Sequence, residues 1–427
     1  MSTTISDTES PVVAPGRIRL RSIDIRDFRN LEHVQMDVPA AGFVLIGDNG
    51  QGKTSFLEAV QYLEVLRSMR GARDVELIRF GEAAFHIGAT VESTGGGASR
   101  VGDERTAMVD DSATPDGAIR RVGAGYARAG RRKKVTMDDV EVSRLADALG
   151  AVPSVVVSPR DVVLVAGAPT ERRRFMDIVL ALTRPGYLRA LQGYRAALAR
   201  RNAALRHGAH AETSAAVWEP AMAEHGAVLM VERRRWVAAV RDRASRLALA
   251  IGEEAPLTMR YQSALDERAA NEASGEDTAD RAVPDDRSLA RESLERALEA
   301  KRSLDVRRGL THAGPHRDDL DLLLGGRSLR AFGSAGQQRS AALVLRLLEA
   351  FSLHESLGRH PVMLLDDPFA ELDARRAARV LTLLATDTPG QVVFAVPRAA
   401  DVPEAMATLP RYEVRAGDIT RLTAVGG

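Results

Sequence analysis

Hydrophobic and polar residues alternate along the first part of the chain, and then the period of the pattern changes. Between residues 18 and 38 they alternate in two successive runs, which predicts a pair of strands. The unbroken apolar run at 43–46 is typical of a short buried strand. Apolar residues then recur with the spacing of one helix face from 56 to 63. The pattern therefore predicts a strand, a loop and a helix in succession.

The middle of the chain has a strand-rich part followed by a helical part. Strand patterns and glycine-rich turns between residues 84 and 136 predict an antiparallel sheet, with a poorly ordered stretch at 95–117. Residues 170–251 are almost wholly helical in character. The acidic, alanine-rich segment 263–287 predicts a mobile connector, and a further helix is expected at 289–304.

Strand and helix patterns alternate again near the C-terminus. Helices are predicted at 340–351 and 375–385, and each precedes an apolar strand, at 362–365 and 391–396. Such alternation at both ends of a chain favours an α/β fold whose mixed sheet is assembled from the two ends, with a mainly helical second lobe. The predicted divisions are a disordered tail (1–16), the first half of lobe I (17–169), helical lobe II (170–309) and the second half of lobe I (310–427).

Composition limits the chemistry that the chain can carry. With 427 residues it is long enough for two or more lobes, and its formal net charge of +1 means that any nucleic-acid surface has to be a local basic patch. The absence of cysteine excludes disulfides, thiol catalysis and cysteine–zinc sites, and it fits a reducing compartment. No apolar run approaches the roughly 20 residues of a membrane-spanning helix. We expect a soluble, cytoplasmic protein.

The loop between the first predicted buried strand and its helix carries the clearest chemical signal. It fits GxxxxGK[ST], with Gly47, Gly52, Lys53 and Thr54 at the defining positions. A glycine-rich turn before a helix directs several backbone N–H groups at one point, where the positive helix end also favours an anion. Lys53 is expected to reach the β- and γ-phosphates of a nucleotide, and the Thr54 hydroxyl to ligate Mg²⁺.

A later predicted strand, at residues 362–365, ends in two carboxylates, Asp366 and Asp367. In open α/β sheets, ligands bind at the carboxyl ends of the strands. Asp366 is therefore expected to hold the metal, and Asp367 to act as general base or to orient the attacking water. Taken alone, this pattern fits a capped strand end equally well, and only the phosphate loop favours the nucleotide interpretation.

A polar helix start precedes that strand and contains Ser334, Gly336 and Gln337. A serine hydroxyl and free N–H groups at a helix start form an anion site, although Ser334 would also serve as an ordinary N-cap. The order of this helix start, the aspartate-ended strand and Glu371-Leu372-Asp373 resembles the ABC-type ATPases. In that class the serine–glycine segment of one subunit contacts the γ-phosphate held by another. The resemblance implies that ATP joins two heads and that residues 371–373 cross the interface.

Further motifs narrow the resemblance. The halves of the site lie much further apart than in a transporter cassette, and no sustained heptads join them as in SMC proteins. Segments that resemble the RecF family of bacterial DNA replication and repair ATPases include IDIRDFRNL, GDNGQGKTSFLEAV, THAGPHRDDL, SAGQQR and LLDDPFAELD, in the family's order. THAGPHRDDL is not shared with generic ABC proteins. The resemblance implies an ABC-type ATPase head of the ABC/SMC-like class.

The resemblance also implies a function and a set of residues. RecF-like proteins bind ATP, form homodimers on it, bind double-stranded DNA near single-strand gaps, and act with RecO and RecR to place RecA; slow ATP hydrolysis then resets them. ATP and Mg²⁺ are the expected cofactors. Residues carried over for nucleotide binding are Gly47, Asn49, Gly50, Gln51, Gly52, Lys53, Thr54 and Ser55, then Arg29 and Asn30 and, in trans, Ser334, Gly336 and Gln337. Those carried over as catalytic are Lys53, Asp366 and Asp367, and as metal ligands Thr54 and Asp366.

Some positions depart from related ATPases. Ala335 replaces a glycine of the transporter motif, and Arg160 stands where the family has an acidic residue. Pro397 and Arg398 stand where transporters have a switch histidine and RecF-like chains tend to have small hydroxyl residues. The residue that senses the γ-phosphate is therefore left open by the sequence.

Basic clusters are the candidates for contact with the DNA backbone, because phosphate contacts give binding that is salt-sensitive and independent of sequence. The candidates are Arg131, Arg132, Lys133, Lys134, Arg200 and Arg201. A solvated surface is the alternative for each cluster. Residues 131–134, on a predicted strand beside a hairpin, are the stronger group.

Two other functions are open at this point. One is an architectural SMC-like head without a role in gap repair, and the other is a small-molecule P-loop kinase. The kinase leaves Ser334 and the long insertion unexplained. Duplex binding that requires ATP and weakens steeply with salt would separate a DNA switch from an architectural head.

Overall fold

The computed structural model describes residues 16–94, 117–206, 210–265, 286–370, 372–387 and 390–422. The chain forms two units, of which unit 1 comprises Met1–Val156, Leu353–Asp366 and Thr388–Gly427, and unit 2 comprises Val157–Ser352 and Asp367–Asp387. Apart from their end residues, the predicted tail, the poorly ordered stretch and the mobile connector lie outside the described residues.

The described residues form the following strands and helices. The strands are β1 (Gly16–Phe28), β2 (Leu31–Asp37), β3 (Gly42–Ile46), β4 (Ala84–Thr94), β5 (Ala118–Ala127), β6 (Arg132–Met137), β7 (Val140–Glu141), β8 (Ser154–Val157), β9 (Leu257–Gln262), β10 (Asp319–Leu324), β11 (Arg327–Ser328), β12 (Arg359–His360), β13 (Val362–Asp366), β14 (Val392–Val396), β15 (Arg411–Arg415) and β16 (Asp418–Arg421). The helices are α1 (Lys53–Val65), α2 (Val163–Ala166), α3 (Pro169–Thr183), α4 (Tyr187–Ala204), α5 (Ala211–Ala216), α6 (Glu219–Ile251), α7 (Arg287–Arg308), α8 (Leu329–Phe332), α9 (Ala335–Leu357) and α10 (Ala374–Asp387).

One sheet has the strand order β16-β15-β3-β14-β13-β8 and is assembled from both ends of the chain. β14 pairs in parallel with both β13 and β3, and β15 pairs in parallel with β3 on its other side. All residues of β3 are buried, and so are the first four of β13, which suits strands covered on both faces. The predicted mixed sheet with contributions from both ends is confirmed.

The second sheet of unit 1 is antiparallel apart from its edge pair. Its order is β12-β1-β4-β5-β6-β7, with β2 added to β1, so the predicted strand pair at 18–38 and the predicted antiparallel sheet are both present. Phe28, Tyr62 and Phe85 meet edge to face with ring centroids 5.2–6.3 Å apart. Because Tyr62 belongs to α1, this core fixes the helix that follows the phosphate loop.

Unit 2 is mainly helical, as the pattern predicts. Its longest helix, α6, has 33 residues and is therefore about 50 Å long. A three-stranded sheet of order β11-β10-β9 also belongs to this unit, and β9 was not predicted. Among the described residues, no helix is both long and apolar enough to cross a membrane.

Candidate nucleotide-binding site

The phosphate loop joins β3 to α1 and requires glycine at its two ends. A Cβ on Gly47 would collide with the carbonyl oxygen of Val414. Gly52, the N-cap of α1, has φ of 127°, and a Cβ there would lie 2.9 Å from Cδ2 of Leu31. A side chain at either position would therefore displace the loop, which is the physical reason for both glycines of the motif.

Lys53 begins α1, and its side chain turns back into the loop. Its Nζ donates hydrogen bonds to the carbonyl oxygens of Gly47 and Asp48, the latter at 2.9 Å. The residue is only 6% exposed, although it is charged. The structure thus places a cation at the centre of the turn and at the positive end of a helix, where an anionic ligand is favoured.

Asn30 braces the phosphate loop from the side. Its Nδ2 donates to the carbonyl oxygen of Gly50 at 3.2 Å, and its Oδ1 accepts a hydrogen bond from Oγ of Ser55 at 2.7 Å. One side-chain amide therefore connects the middle of the loop to the first turn of α1. The predicted approach of Asn30 to the nucleotide stays a prediction, and its observed contacts are with the loop itself.

A second brace comes from the turn between β15 and β16. The backbone N–H of Ala416 donates to Oε1 of Gln51 at 2.6 Å, and that of Gly417 donates to the carbonyl oxygen of Gln51 at 2.8 Å. A Cβ on Gly417 would collide with the carbonyl oxygen of Asn30. This brace is absent from the sequence predictions, although two alternating runs on either side of Ala416-Gly417 are a hairpin signal.

Arg29 supports α1 rather than the loop. Its Nε and Nη2 donate to the two carboxylate oxygens of Glu58 at 3.0 and 3.1 Å. The Glu58 side chain is fully buried, so this two-point pair supplies the partner that a buried charge needs. Its predicted contact with the nucleotide stays a prediction, and its observed guanidinium contacts include those with Glu58.

Asp366 lies at the same edge of the sheet as the phosphate loop. It is the register partner of Ala395 in β14, and Ala395 is in turn the partner of Leu45 in β3. Two strand spacings therefore separate Asp366 from β3, roughly 10 Å. Asp367 follows with φ of 45° and is half-buried, like Asp366.

The oxygen donors of unit 1 are suited to Mg²⁺. Thr54, the second residue of α1, is half-buried and carries a hydroxyl, and Asp366 carries a half-buried carboxylate. Mg²⁺ prefers oxygen ligands and is usually held by one or two protein groups together with the phosphates of a nucleotide. These two residues therefore fit the ion as a partner of bound nucleotide.

The serine–glycine helix start lies in unit 2 at the beginning of α9. Ser334 is exposed, and its Oγ accepts a hydrogen bond from the backbone N–H of Gln337 at 3.2 Å, while Oε1 of Gln337 accepts one from the backbone N–H of Ser334 at 2.9 Å. This reciprocal pair is a capping box. The N-cap interpretation of Ser334 is thus correct, and its exposure leaves the hydroxyl accessible to a second molecule.

Arg398, which follows β14 and Pro397, pairs with a carboxylate close to it in the chain. Its Nε and Nη2 lie 3.1 Å from the two carboxylate oxygens of Asp401, three residues on. The side chain is 77% exposed. Arg398 and Asp401 therefore form a local ion pair at the surface.

The prediction that Arg201 contacts DNA is wrong, because its side chain is fully buried. Its guanidinium donates to Glu219 at 2.8 Å and to Asp305 at 2.7 Å. A backbone phosphate has no access to a group held in this way. Arg200 is exposed and lies 4.9 Å above the ring of Trp218.

The basic cluster at 131–134 divides between two environments. Lys133 is 17% exposed, and its Nζ contacts the carbonyl oxygen of Leu66 at 2.7 Å and Asp74 at 2.8 Å. Arg131, Arg132 and Lys134 are exposed. Successive side chains of a strand point to opposite faces, and for this reason Lys133 differs from its two neighbours.

Comparison with known proteins identifies the family of the chain. A family model described as the RecF/RecN/SMC N terminal domain matches residues 19–416. The chain is 36% identical to the DNA replication and repair protein RecF of Anaeromyxobacter sp. (strain K), covering 95% of this chain and 100% of the relative. It is 34% identical to the RecF protein of Chloroflexus aurantiacus, covering 92% and 97%.

Solved structures give the same result. The recombination mediator protein RecF with ATP, described as part of the RecFOR pathway, is 26% identical and superposes with a TM-score of 0.79 over 96% of this chain and 99% of that structure. An Smc head domain from Pyrococcus furiosus, 14% identical, superposes with a TM-score of 0.51 and shares the fold. The predicted ABC-type head is confirmed. The protein belongs to the RecF family of DNA replication and repair proteins, within the wider RecF/RecN/SMC family of ATPase heads.

Proposed function

We propose that the protein is an ATP-driven homodimer that binds duplex DNA beside single-strand gaps and helps RecO and RecR proteins to load RecA. The observation that carries this proposal is the braced phosphate loop, with Lys53 at its centre, in a chain that matches RecF proteins over nearly their whole length. The relatives are named for DNA replication and repair, and a solved relative is described as RecF with ATP in the RecFOR pathway. A cytoplasmic location follows from such a role.

In this function the loop and the first turn of α1 hold the triphosphate. Lys53 neutralises the β- and γ-phosphates, and Thr54 and Asp366 hold Mg²⁺. Asp367 orients the attacking water, and its short side chain favours slow turnover, so that hydrolysis acts as a reset. The assignment of Asp366 is supported by the register of β13, β14 and β3, which places it at the same edge of the sheet as the phosphate loop.

The homodimer places the serine–glycine segment of one copy on the triphosphate held by the other. Ser334 is exposed at the positive end of α9, a helix of 23 residues, and helix ends of this kind favour phosphate. Gly336 and Gln337 follow in the same turn. Glu371-Leu372-Asp373, of which Glu371 lies outside the described residues, is proposed to cross the same interface.

DNA contact is proposed for the exposed members of the basic clusters. These are Arg131, Arg132, Lys134 and Arg200. Each phosphate contact releases counterions, so affinity should fall steeply as salt rises.

The decisive experiment measures duplex binding with and without ATP and magnesium across a salt series. The wild-type chain should bind duplex only with ATP, and Lys53→Ala should lose both ATP binding and DNA binding. Lys134→Ala is the matched control, since it should bind ATP normally and lose only part of the DNA affinity. Equal DNA binding with and without nucleotide would contradict the switch and favour an architectural head.

A further inference from the structure

One arginine of unit 2 connects three helix ends. Arg376, in the first turn of α10, has its Nη2 3.2 Å from Oε1 of Glu253, which lies just beyond the end of α6. Its Nε lies 3.7 Å from Oδ2 of Asp373, the residue before α10. Its Nη1 lies against Gly336 in the first turn of α9, since a Cβ on that glycine would be 2.9 Å away.

Burial decreases along this set of contacts. The side chain of Glu253 is 3% exposed, that of Arg376 is 25% exposed, and that of Asp373 is 60% exposed. A buried carboxylate needs its partner, so the pair with Glu253 anchors the guanidinium from inside the unit. The same guanidinium then reaches the surface at the serine–glycine turn. The Arg376 side chain thus connects the buried Glu253 carboxylate to the exposed serine–glycine turn.

The position is electrostatically unfavourable for a cation. The first turns of α9 and α10 are both positive ends of helices, and neither contains an acidic residue. Asp373 offsets part of this charge, and its Oδ1 also accepts a hydrogen bond from the backbone N–H of Arg376 at 2.9 Å. Two helix starts and a guanidinium nevertheless concentrate positive charge beside Ser334. Such a surface is complementary to a triphosphate presented by another molecule.

We propose that Arg376 is a positioning residue that holds the serine–glycine turn and the Asp373 turn in a fixed arrangement, so that both meet a second copy of the chain as one surface. The inference rests on the proposed ATP-dependent homodimer and adds to it a residue outside the ATPase motifs. Lysine does not replace arginine here, because one ammonium group does not reach Glu253, Asp373 and Gly336 together.

The test uses the full chain carrying Arg376→Gln, with Arg375→Gln as the matched control from the same turn, where the side chain is exposed. Binding of a fluorescent ATP analogue to dilute protein should change less than about twofold in both variants. The ATP-dependent dimer, measured by mass photometry over a protein concentration series, should weaken about tenfold or more in Arg376→Gln, equivalent to about 1.4 kcal/mol. The ATP-dependent dimer of Arg376→Lys should be weakened as well.

A further measurement separates positioning from direct contact with phosphate. Hydrolysis by Arg376→Gln should return to within about threefold of wild type once the protein concentration saturates the dimer. A rate that stays low at saturation would overturn positioning, and so would a dimer as strong as wild type. If wild type itself forms no dimer with ATP, the proposed function fails as well. Should Arg376→Gln not fold, Glu253→Gln removes the anchor and should weaken the dimer in the same way; an unchanged dimer would overturn the inference.

Discussion

The phosphate loop and the serine–glycine turn bind the same triphosphate in the proposed function, yet they are built in opposite ways. The loop is braced by neighbours distant in the chain: Asn30 holds Gly50, and the turn at Ala416 and Gly417 holds Gln51. The turn at Ser334 is capped by Gln337, only three residues away, and it is exposed.

The difference follows from what each region has to do. A pocket that binds nucleotide within one chain gains affinity when its donors are fixed before binding, which requires support from around it. A surface that binds a second copy has to be accessible. Before binding, its polar groups therefore form hydrogen bonds with residues close to them in the chain. The phosphate loop is therefore supported by distant residues, and the serine–glycine turn by a neighbour, although both bind the triphosphate in the proposed function.

The largest effect is expected from Ser334→Arg, which alters the serine–glycine turn and leaves the phosphate loop intact. A long cation at the exposed cap should block the approach of the second copy and lower dimer affinity by about a thousandfold, since central interface residues are worth up to several kcal/mol. ATP binding by the dilute monomer should be unchanged. Sedimentation with ATP and magnesium checks this, and dimers at wild-type ATP concentrations would refute the trans contact.

Asp367→Asn tests the second carboxylate of the aspartate pair, which directly follows β13. Removing a group that orients water typically costs about a hundredfold in rate. We expect ATP binding and the dimer to persist while single-turnover hydrolysis falls by that factor. A normal rate would remove Asp367 from the mechanism.

Gly417→Ala tests the brace on the loop. Gly417 has φ of 93°, and a Cβ would meet the carbonyl oxygen of Asn30. Unfolding free energy should fall by about 3 kcal/mol, and ATP affinity about tenfold, because strain and a clash add. Gly326→Ala is the control: its φ is 79° but nothing lies within 4 Å, so only about 1 kcal/mol should be lost. Equal effects on ATP binding would show that the brace is unimportant.

Phe332→Ala should have the smallest effect. This side chain is 77% exposed, two residues before Ser334, and exposed aromatic residues at a contact surface contribute to association. We expect the ATP-dependent dimer to weaken about threefold to tenfold. Val217→Ala, at a 69% exposed position elsewhere in unit 2, should leave the dimer unchanged. The same concentration series measures both variants, and equal dimers would place Phe332 outside the interface.

Local patterns in the sequence determined much of this protein. The run from β3 through the loop to α1, the aspartate-ended strand β13 and the cap of α9 each depend on residues within a few positions of one another, so spacing and residue type suffice to predict them.

Only the tertiary structure decided how those pieces are supported and which charges reach the surface. Gly417 supports Gln51 across most of the chain, Arg29 is directed at Glu58, and Arg201 is buried against Asp305 although its neighbour is exposed. The short strand β9 pairs with β10, which lies far from it in the sequence. Each of these outcomes depends on contacts between residues far apart in the sequence. Hydrophobic periodicity reports which face of an element is buried, but it does not report which distant group lies against it.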